Sequence, residues 1–425
     1  MSLLPPEVSS VNQANSPSVA YPQWFKGKRF TLGVTGGIAA YKSGDAIRLL
    51  QKHGAEKVFP ILTPNACNYI TPLTLSSLAM EPATADHLAV TPTGVPLHIH
   101  YAQQSDAMLL LPATANSIAK ITHGLADELV SCTALTFTDK PLILCPTMNT
   151  RMWENPITQH NLSLLQRLLP TVVIVPPASA MLACGEQGVG HLASWESILL
   201  HTYRAIHPHA TSLQGKRVLI TAGGTHEPID VARVISNRSS GKMGLALADE
   251  AYARGAEVTL LYANAPLPER PYRIEATPTV QHLLETAQAL FPTCDYLIKA
   301  AAVSDFTPSH PSQYKLKKQE GQDRYSFEFS LTPDILATLC QQKQAHQTVV
   351  GFAAESHLNS SELYAKLKRK GCDWLAVNNV ARADIGFASN DNELLLLSKD
   401  ANHPPLTLPK QSKTELAFAL WQQLL

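Results

Sequence analysis

Short, almost unbroken apolar runs separated by longer mixed segments set the rhythm of this chain. "AMLLLPA" (107–113), "PLILCPTM" (141–148) and "TVVIVPP" (171–177) each have the length and branching of a strand. Continuous rather than alternating hydrophobicity marks strands of a parallel sheet covered on both faces. Each run stops at a small-residue or proline turn. Two longer segments share one plan: "GKRFTLGVTGGIAAYKSGDAIRLLQKHGAEKVFPILT" (27–63), and "GKRVLITAGGT" (215–225) followed by "SSGKMGLALADEAYARGAEVTLLYA" (239–263). Both read as strand, glycine turn, amphipathic helix, "GAE" turn, strand. That βαβ unit needs a parallel neighbour and a right-handed crossover. Later runs, "YLIKAAAVSD", "TVVGFAAE" and "WLAVNNV", extend the second copy.

The pattern predicts an α/β protein with two Rossmann-like starts, hence two domains, as 425 residues would suggest. The expected division is a disordered tail over 1–25, a first domain over 26–205, a linker over 206–214 and a second domain over 215–425. The tail is rich in Pro, Ser and Asn and lacks the apolar core of a signal peptide. In open α/β sheets ligands bind outside the carboxyl ends of the strands. In the first domain those ends are "VTGGIAA", "LPATAN", "PTMN" and "PPASAMLACGEQG", expected to converge on one pocket.

Charge narrows the partners. Lys plus Arg number 34 and Asp plus Glu number 34, so the net charge is zero, which argues against nucleic acid. Seven scattered cysteines form no CxxC pair, which argues against a disulfide framework or a zinc site and fits a cytoplasmic protein. No run of about 18 apolar residues suggests a membrane span.

Individual motifs carry two readings. Gly36 and Gly37 open a helix after a strand, a position suited to phosphate, but GxGxxG is missing. Thr114 and Asn116 sit before a helix as caps or as ligands, and Asn149 ends a strand as turn former or ligand. Cys184 lies among three glycines, in a segment that reads as mobile rather than as core. "SNRSSGKMG" (236–244) fails as a Walker A motif, yet Ser239, Ser240 and Gly241 at a helix start make an anion cradle. "KLKK" (315–318) reads as an exposed charged flap or a triphosphate contact.

Taken together, "GVTGGIAAYK", "ITPLTLSSL", "PLHIH", "LPATANSIAKITHGLADEL", "PTMN" and "ACGEQGVG" resemble the flavin-dependent cysteine decarboxylase family. "TAGGTHEPIDVARVISNRSSGKMG", "AAAVSDF", "KLKK", "TPDI", "GFAAE" and "GFASNDNE" resemble phosphopantothenoylcysteine synthetase. The order is similar to the bifunctional coenzyme A biosynthesis family of bacteria, from about residue 27 onward.

The resemblance implies a flavodoxin-like first sheet, of the HFCD flavoprotein type, and a Rossmann-like ligase domain. It implies FMN held by Gly36, Gly37, Thr63, Thr114 and Asn116. Oxidation of the substrate's CH2–SH to a thioaldehyde, with the two electrons passing to the flavin, lets carbon dioxide leave; the enethiol left behind must then be reduced again, and that step needs a proton donor, which the resemblance assigns to Cys184. His98, with His100 as its rival, would serve the oxidation half-reaction, and Asn149 would bind the substrate carboxylate. In the ligase half it implies attack of the 4'-phosphopantothenate carboxylate on CTP, with the acyl-cytidylate then opened by cysteine. Asn237 would handle that intermediate, and Arg233, four residues earlier, would bind substrate. Ser239, Ser240, Gly241, Ala301, Ala302, Lys315, Pro333, Asp334, Ile335, Phe352, Lys366 and Lys370 would contact CTP, and Asp305 would hold Mg2+. A homo-oligomer is implied too, with trimeric decarboxylase domains, dimeric ligase domains and a dodecamer as the whole. The sequence departs from the pattern at His191–Leu192, Gly224, Ala232 and Ser304. A peptidyl-cysteine decarboxylase and a flavoprotein prenyltransferase are the alternatives; Cys184 and the second domain count against them.

Overall fold

The computed structural model describes residues 21–181, 187–317, 324–380 and 389–425. The first sheet is built from β1 (Arg29–Val34), β2 (Lys57–Leu62), β3 (Ala107–Ala113), β4 (Leu142–Pro146) and β5 (Val172–Ile174). All pairs are parallel and the order is β2-β1-β3-β4-β5, the flavodoxin-like arrangement. The apolar runs are buried because both faces are covered. Phe30, Leu32 and Val34 pack with Ala46, Ile47 and Leu50 of the helix Ser43–Lys52. Met108, Leu110, Leu142 and Leu144 face the opposite layer, with Ile118, Ile121, Leu162 and Leu165. A two-stranded hairpin, β6 (Ala178–Met181) and β7 (Gln187–His191), follows the sheet.

The second domain adds β8 (Arg217–Ala222), the hairpin β9 (His226–Asp230) and β10 (Arg233–Ser236), then β11 (Glu257–Tyr262), β12 (Arg273–Ala276) and β13 (Tyr296–Lys299). A small ribbon, β14 (Phe306–Pro308) with β15 (Phe329–Leu331), precedes β16 (Thr348–Glu355), β17 (Trp374–Asn379), β18 (Asp391–Ser398) and β19 (Leu406–Ser412). The main sheet runs β12-β11-β8-β13-β16-β17-β18-β19. Its first six strands are parallel and follow the Rossmann order, and the last two are antiparallel additions.

The sequence repeat is a structural repeat down to single hydrogen bonds. Arg29 N–H donates to Asp106 at 2.8 Å and Lys28 pairs with the same carboxylate; Arg217 and Lys216 do the same with Asp295, the backbone bond again at 2.8 Å. In both domains the "GKR" start is thereby pinned to the beginning of the neighbouring strand.

Two boundaries move. Tyr21–Phe25 does not belong to a tail. Phe25 is fully buried and meets Phe30 edge-on at 5.2 Å, while Trp24 stacks between His53 and Tyr203 at 5.0 and 5.4 Å. Composition hid this because only three aromatic residues in an otherwise polar stretch do the packing. Nor is 206–214 a free linker: His207 and Leu213 are buried. The helices Trp195–Ile206 and Lys242–Ala253 pack across this seam. Inside it Glu250 accepts from Tyr203 (2.9 Å), His207 (3.0 Å) and Arg254 (2.7 Å). Leu200 belongs to the second core and Ala253 to the first, so the cores interlock.

Candidate functional site

Each sheet carries a cavity where its strand order reverses, which is where open α/β folds bind ligands. In the first domain a cleft of about 540 Å³ opens at the ends of β1, β3 and β4, lined by Gly36, Gly37, Thr114 and Asn149. The turn after β1 must be glycine: a Cβ on Gly36 would lie 2.5 Å from that of Asn65. Thr35, which sequence reasoning passed over, joins two strand ends. Its hydroxyl donates to the Pro112 carbonyl at 2.7 Å and accepts from Thr114 N–H at 3.1 Å. Thr114 in turn accepts from Ser117 N–H at 3.4 Å, so it caps the helix Ala115–Thr122 and lines the cleft at once.

Asn149 also has both roles. Its side chain accepts from Arg151 N–H at 2.9 Å, starting the short helix Thr150–Trp153. Met148 N–H donates to the Gly190 carbonyl at 3.0 Å, holding β7 against this turn. His191, where the resemblance expects arginine, lines the same cleft. Cys184 lies outside the described residues, between β6 and β7.

Three residues expected at the flavin stand elsewhere in the single chain. Thr63 is buried and its hydroxyl accepts from Ala66 N–H, capping the turn that follows β2. Asn116 is exposed on the helix behind Thr114. His98, on the helix Leu97–Gln104, is off the cleft, but its Nδ1 is buried without a hydrogen-bond partner. The rival, His100, packs its ring edge-on against Tyr101 and Phe59, at 5.6 and 6.5 Å. The glycine cradle and the polar strand ends suit a flavin and its phosphate.

The second cavity, about 520 Å³, lies at the reversal between β8 and β13. Its lining includes Asn237, Ser239, Ser240, Gly241, Ala301, Ala302, Asp305, Asp334, Phe352, Lys366 and Lys370. Asn237 donates its amide to the carbonyls of Ala302 (3.2 Å) and Val303 (3.0 Å), across the reversal. Asn264 stitches the same loops: it donates to the Ser239 carbonyl at 2.9 Å and accepts from Gly224 N–H at 2.7 Å. Ser239 and Gly241 stand at the start of the helix Lys242–Ala253, where the helix dipole favours an anion. Asp334 starts the helix Ile335–Gln341 and pairs with Lys370, while Lys366 pairs with Glu355. Burial alone would raise the Asp334 carboxyl, but Lys370 and the Ala337 N–H hold it below its ordinary value.

Arg233, Lys315, Pro333 and Ile335 do not line this cavity. Arg233 pairs with Asp230 at 2.8 Å and donates to the Leu316 carbonyl, so it anchors the "KLKK" segment; Lys315 itself is exposed. Ile335 is buried in the core. Conversely, the sequence reading missed Arg238, Lys242, Lys299, Asn378, Asn392 and Lys413, all on the lining. A lysine or asparagine ending an apolar strand was the available signal for Lys299 and Asn378. The Oδ1 atoms of Asn378 and Asn392 are buried without partners, and so suit a ligand that brings N–H or O–H donors. Burial, then Lys242, pulls Lys413 down to about 8. Among the described residues no three acidic, histidine or cysteine side chains cluster to bind a metal ion unaided. Mg2+ commonly takes one or two carboxylates and completes its shell with phosphate and water, so the lone exposed Asp305 fits it alongside a triphosphate. Among the same residues no helix is long and apolar enough to cross a membrane.

A flavodoxin-like unit with a strand-end cleft, fused to a Rossmann-ordered unit with a cation-lined one, defines a two-domain α/β enzyme with two separate sites. Residues 18–207 match the Flavoprotein family, and residues 213–425 match the DNA/pantothenate metabolism flavoprotein C-terminal domain. The "Coenzyme A biosynthesis bifunctional protein CoaBC" of Vibrio cholerae is 37% identical over 94% of this chain and 98% of that protein. Its namesake in Haemophilus influenzae is 36% identical over 94% and 97%, and that of Mycobacterium tuberculosis 36% over 92% and 94%. A crystal structure of the C-terminal domain of such a protein aligns with 50% of this chain and 96% of its own, at 32% identity and a TM-score of 0.42. The chain belongs to the family of bifunctional coenzyme A biosynthesis proteins. It is a flavoprotein with decarboxylase and ligase activities on one chain.

Proposed function

We propose that the second domain joins cysteine to 4'-phosphopantothenate at the expense of CTP, through an acyl-cytidylate, and that the first domain decarboxylates the product to 4'-phosphopantetheine with FMN. The observation that carries this reading is the cavity at the β8–β13 reversal, where Asn237, Ser239, Asp305, Asp334, Lys366 and Lys370 converge. Charge accumulates on the triphosphate as the carboxylate attacks, so preorganised cations contribute most of the stabilisation. Lys366 and Lys370 supply it from one helix, and Mg2+ at Asp305 shares the load. Asn237 bridges the two loops that would bracket the reacting carboxylate. Arg233 and Lys315, off the cavity in this chain, approach the phosphates if the "KLKK" segment folds inward.

In the first domain Gly36, Gly37 and Thr114 hold the FMN phosphate at the end of β1. FMN supplies reversible two-electron redox chemistry next to the substrate thiol. Asn149 orients the substrate carboxylate, and Cys184 delivers a proton to the decarboxylated product. His98 lies away from the cleft of its own chain, which fits a site completed by a second copy. Ile38 (60% exposed), Tyr41 (59%) and Met152 (49%) put apolar surface on the cleft rim where that copy would sit. The reading is of a cytoplasmic homo-oligomer with trimeric decarboxylase halves and dimeric ligase halves, a dodecamer as a whole. A yellow purified protein that releases pyrophosphate from CTP only with both phosphopantothenate and cysteine, and then carbon dioxide, bears this out. A colourless protein inert toward both substrates overturns it.

A further inference from the structure

Lys299 is the last residue of β13, after the apolar Leu297 and Ile298, and it lines the second cavity beside Ala300–Val303. Its ammonium donates to the Ala301 carbonyl at 3.0 Å. Among the described residues no carboxylate forms an ion pair with it, so its other donors lack a counter-charge. The nearby charges are already matched: Lys370 with Asp334, and Lys366 with Glu355. Facing it are Asp334 from the start of one helix, Lys366 and Lys370 from another, and Asp305 from the loop after β13. Burial, then the Lys370 charge, pulls Lys299 down to about 8, while Asp334 and Asp305 work the other way.

A half-buried ammonium whose one partner is a neutral carbonyl, with no counter-charge, destabilises a fold, and an apolar side chain would suit the end of this strand better. The deficit disappears if an anion arrives in the cavity. Carboxylates around Lys299 are committed to other cations or, like Asp305, exposed toward the site. The missing partner therefore belongs to the ligand.

We propose that Lys299 is a ligand-binding residue of the ligase half, whose ammonium pairs with the phosphate chain of the bound nucleotide. The inference rests on the CTP reading above and adds a contact to it. Because burial pulls Lys299 down to about 8, a polyphosphate arriving beside it favours the charged form, and proton uptake should accompany binding. Above neutral pH the nucleotide phosphates are fully ionised, so a change in affinity there reports on the protein.

The test is calorimetric titration of the full chain with CTP and MgCl2 between pH 7 and 9.5, in two buffers of different ionisation enthalpy. Wild-type protein is expected to take up protons on binding, most strongly above pH 8. Lys299→Met is expected to weaken CTP binding about tenfold or more and to reduce that uptake, what remains belonging to Lys413 on the same lining. Lys299→Arg, permanently charged, is expected to keep most of the affinity and show the same reduced uptake. Without nucleotide, Lys299→Met should melt no lower than wild type, whereas a purely structural lysine would lower melting temperature and affinity together. Unchanged CTP affinity in Lys299→Met overturns the inference. Should that variant fail to fold, wild-type binding without proton uptake overturns it equally. A wild type that binds no CTP at all removes the parent reading and this inference with it, and the wild-type titration alone distinguishes that case.

Discussion

Met148 and Gly190 meet backbone to backbone: the N–H of one donates to the carbonyl of the other at 3.0 Å, and the returning strand of the cysteine hairpin rests on the Asn149 turn. A side chain at position 190 has nowhere to go. Its Cβ would lie 2.1 Å from the Met148 carbonyl oxygen, and the φ of +141° is itself unfavourable for any other residue. Gly190→Ala is expected to displace the hairpin and reduce carbon dioxide release at least about tenfold, with pyrophosphate release from CTP unchanged. Equal loss of both activities would show global misfolding instead.

Cys184→Ser tests the proton donor. The variant should still release carbon dioxide but accumulate the unsaturated enethiol, seen by mass spectrometry as a product two mass units lighter than phosphopantetheine. A normal yield of phosphopantetheine would remove Cys184 from the reaction.

Asn237→Asp replaces a donor with an acceptor facing two carbonyl oxygens, those of Ala302 and Val303. The loops should separate and ligation slow by about tenfold or more, since a contact made by two hydrogen bonds turns repulsive. Decarboxylation of supplied phosphopantothenoylcysteine should proceed at the wild-type rate, and a coupled assay with either substrate distinguishes the two.

Glu250 is an acid-sensitive point in the domain seam. Burial alone would raise its carboxyl, but the His207 hydrogen bond, the Arg254 charge and the Tyr203 hydroxyl together hold it below the ordinary glutamate value. A carboxyl depressed in the folded state adds stability that is present above its unfolded value, near pH 4.5, and is lost as pH falls through the lower folded value. Thermal melts should therefore fall steeply below about pH 4.5 in wild type and less steeply in Glu250→Gln. At pH 7 that substitution should cost roughly 3–5 kcal/mol, because Arg254 remains buried and unpaired.

Phe25→Ala measures whether the segment before β1 belongs to the first core. A fully buried phenylalanine truncated to alanine costs about 3–5 kcal/mol. A melting temperature equal to wild type would return residues 21–25 to the tail.

The parallel strands were legible because burial on both faces leaves uninterrupted apolar runs such as "AMLLLPA". The two starts were legible because a βαβ unit imposes the same glycine and strand spacing wherever it occurs. Thr63 and Ile335 show the limit of motif transfer: one hydroxyl caps a turn and one side chain fills a core, whatever the motif around them. Lys299, Asn378 and Asn392 were missed for another reason, although a polar residue closing an apolar strand marks the first two. Their significance lies in partners they lack, and a missing counter-charge or donor can be recognised only once the surrounding chain is in place.

The exchange of Leu200 and Ala253 between cores has a practical cost for anyone who divides this protein. A cut at the polar break after residue 206 leaves one fragment with a bare leucine knob and the other with the socket that received it. Either piece made alone would carry a greasy scar, and the second would also leave Glu250 without its Tyr203 donor. Replacing the scar residues with polar ones, rather than trimming the ends, is the route to well-behaved halves.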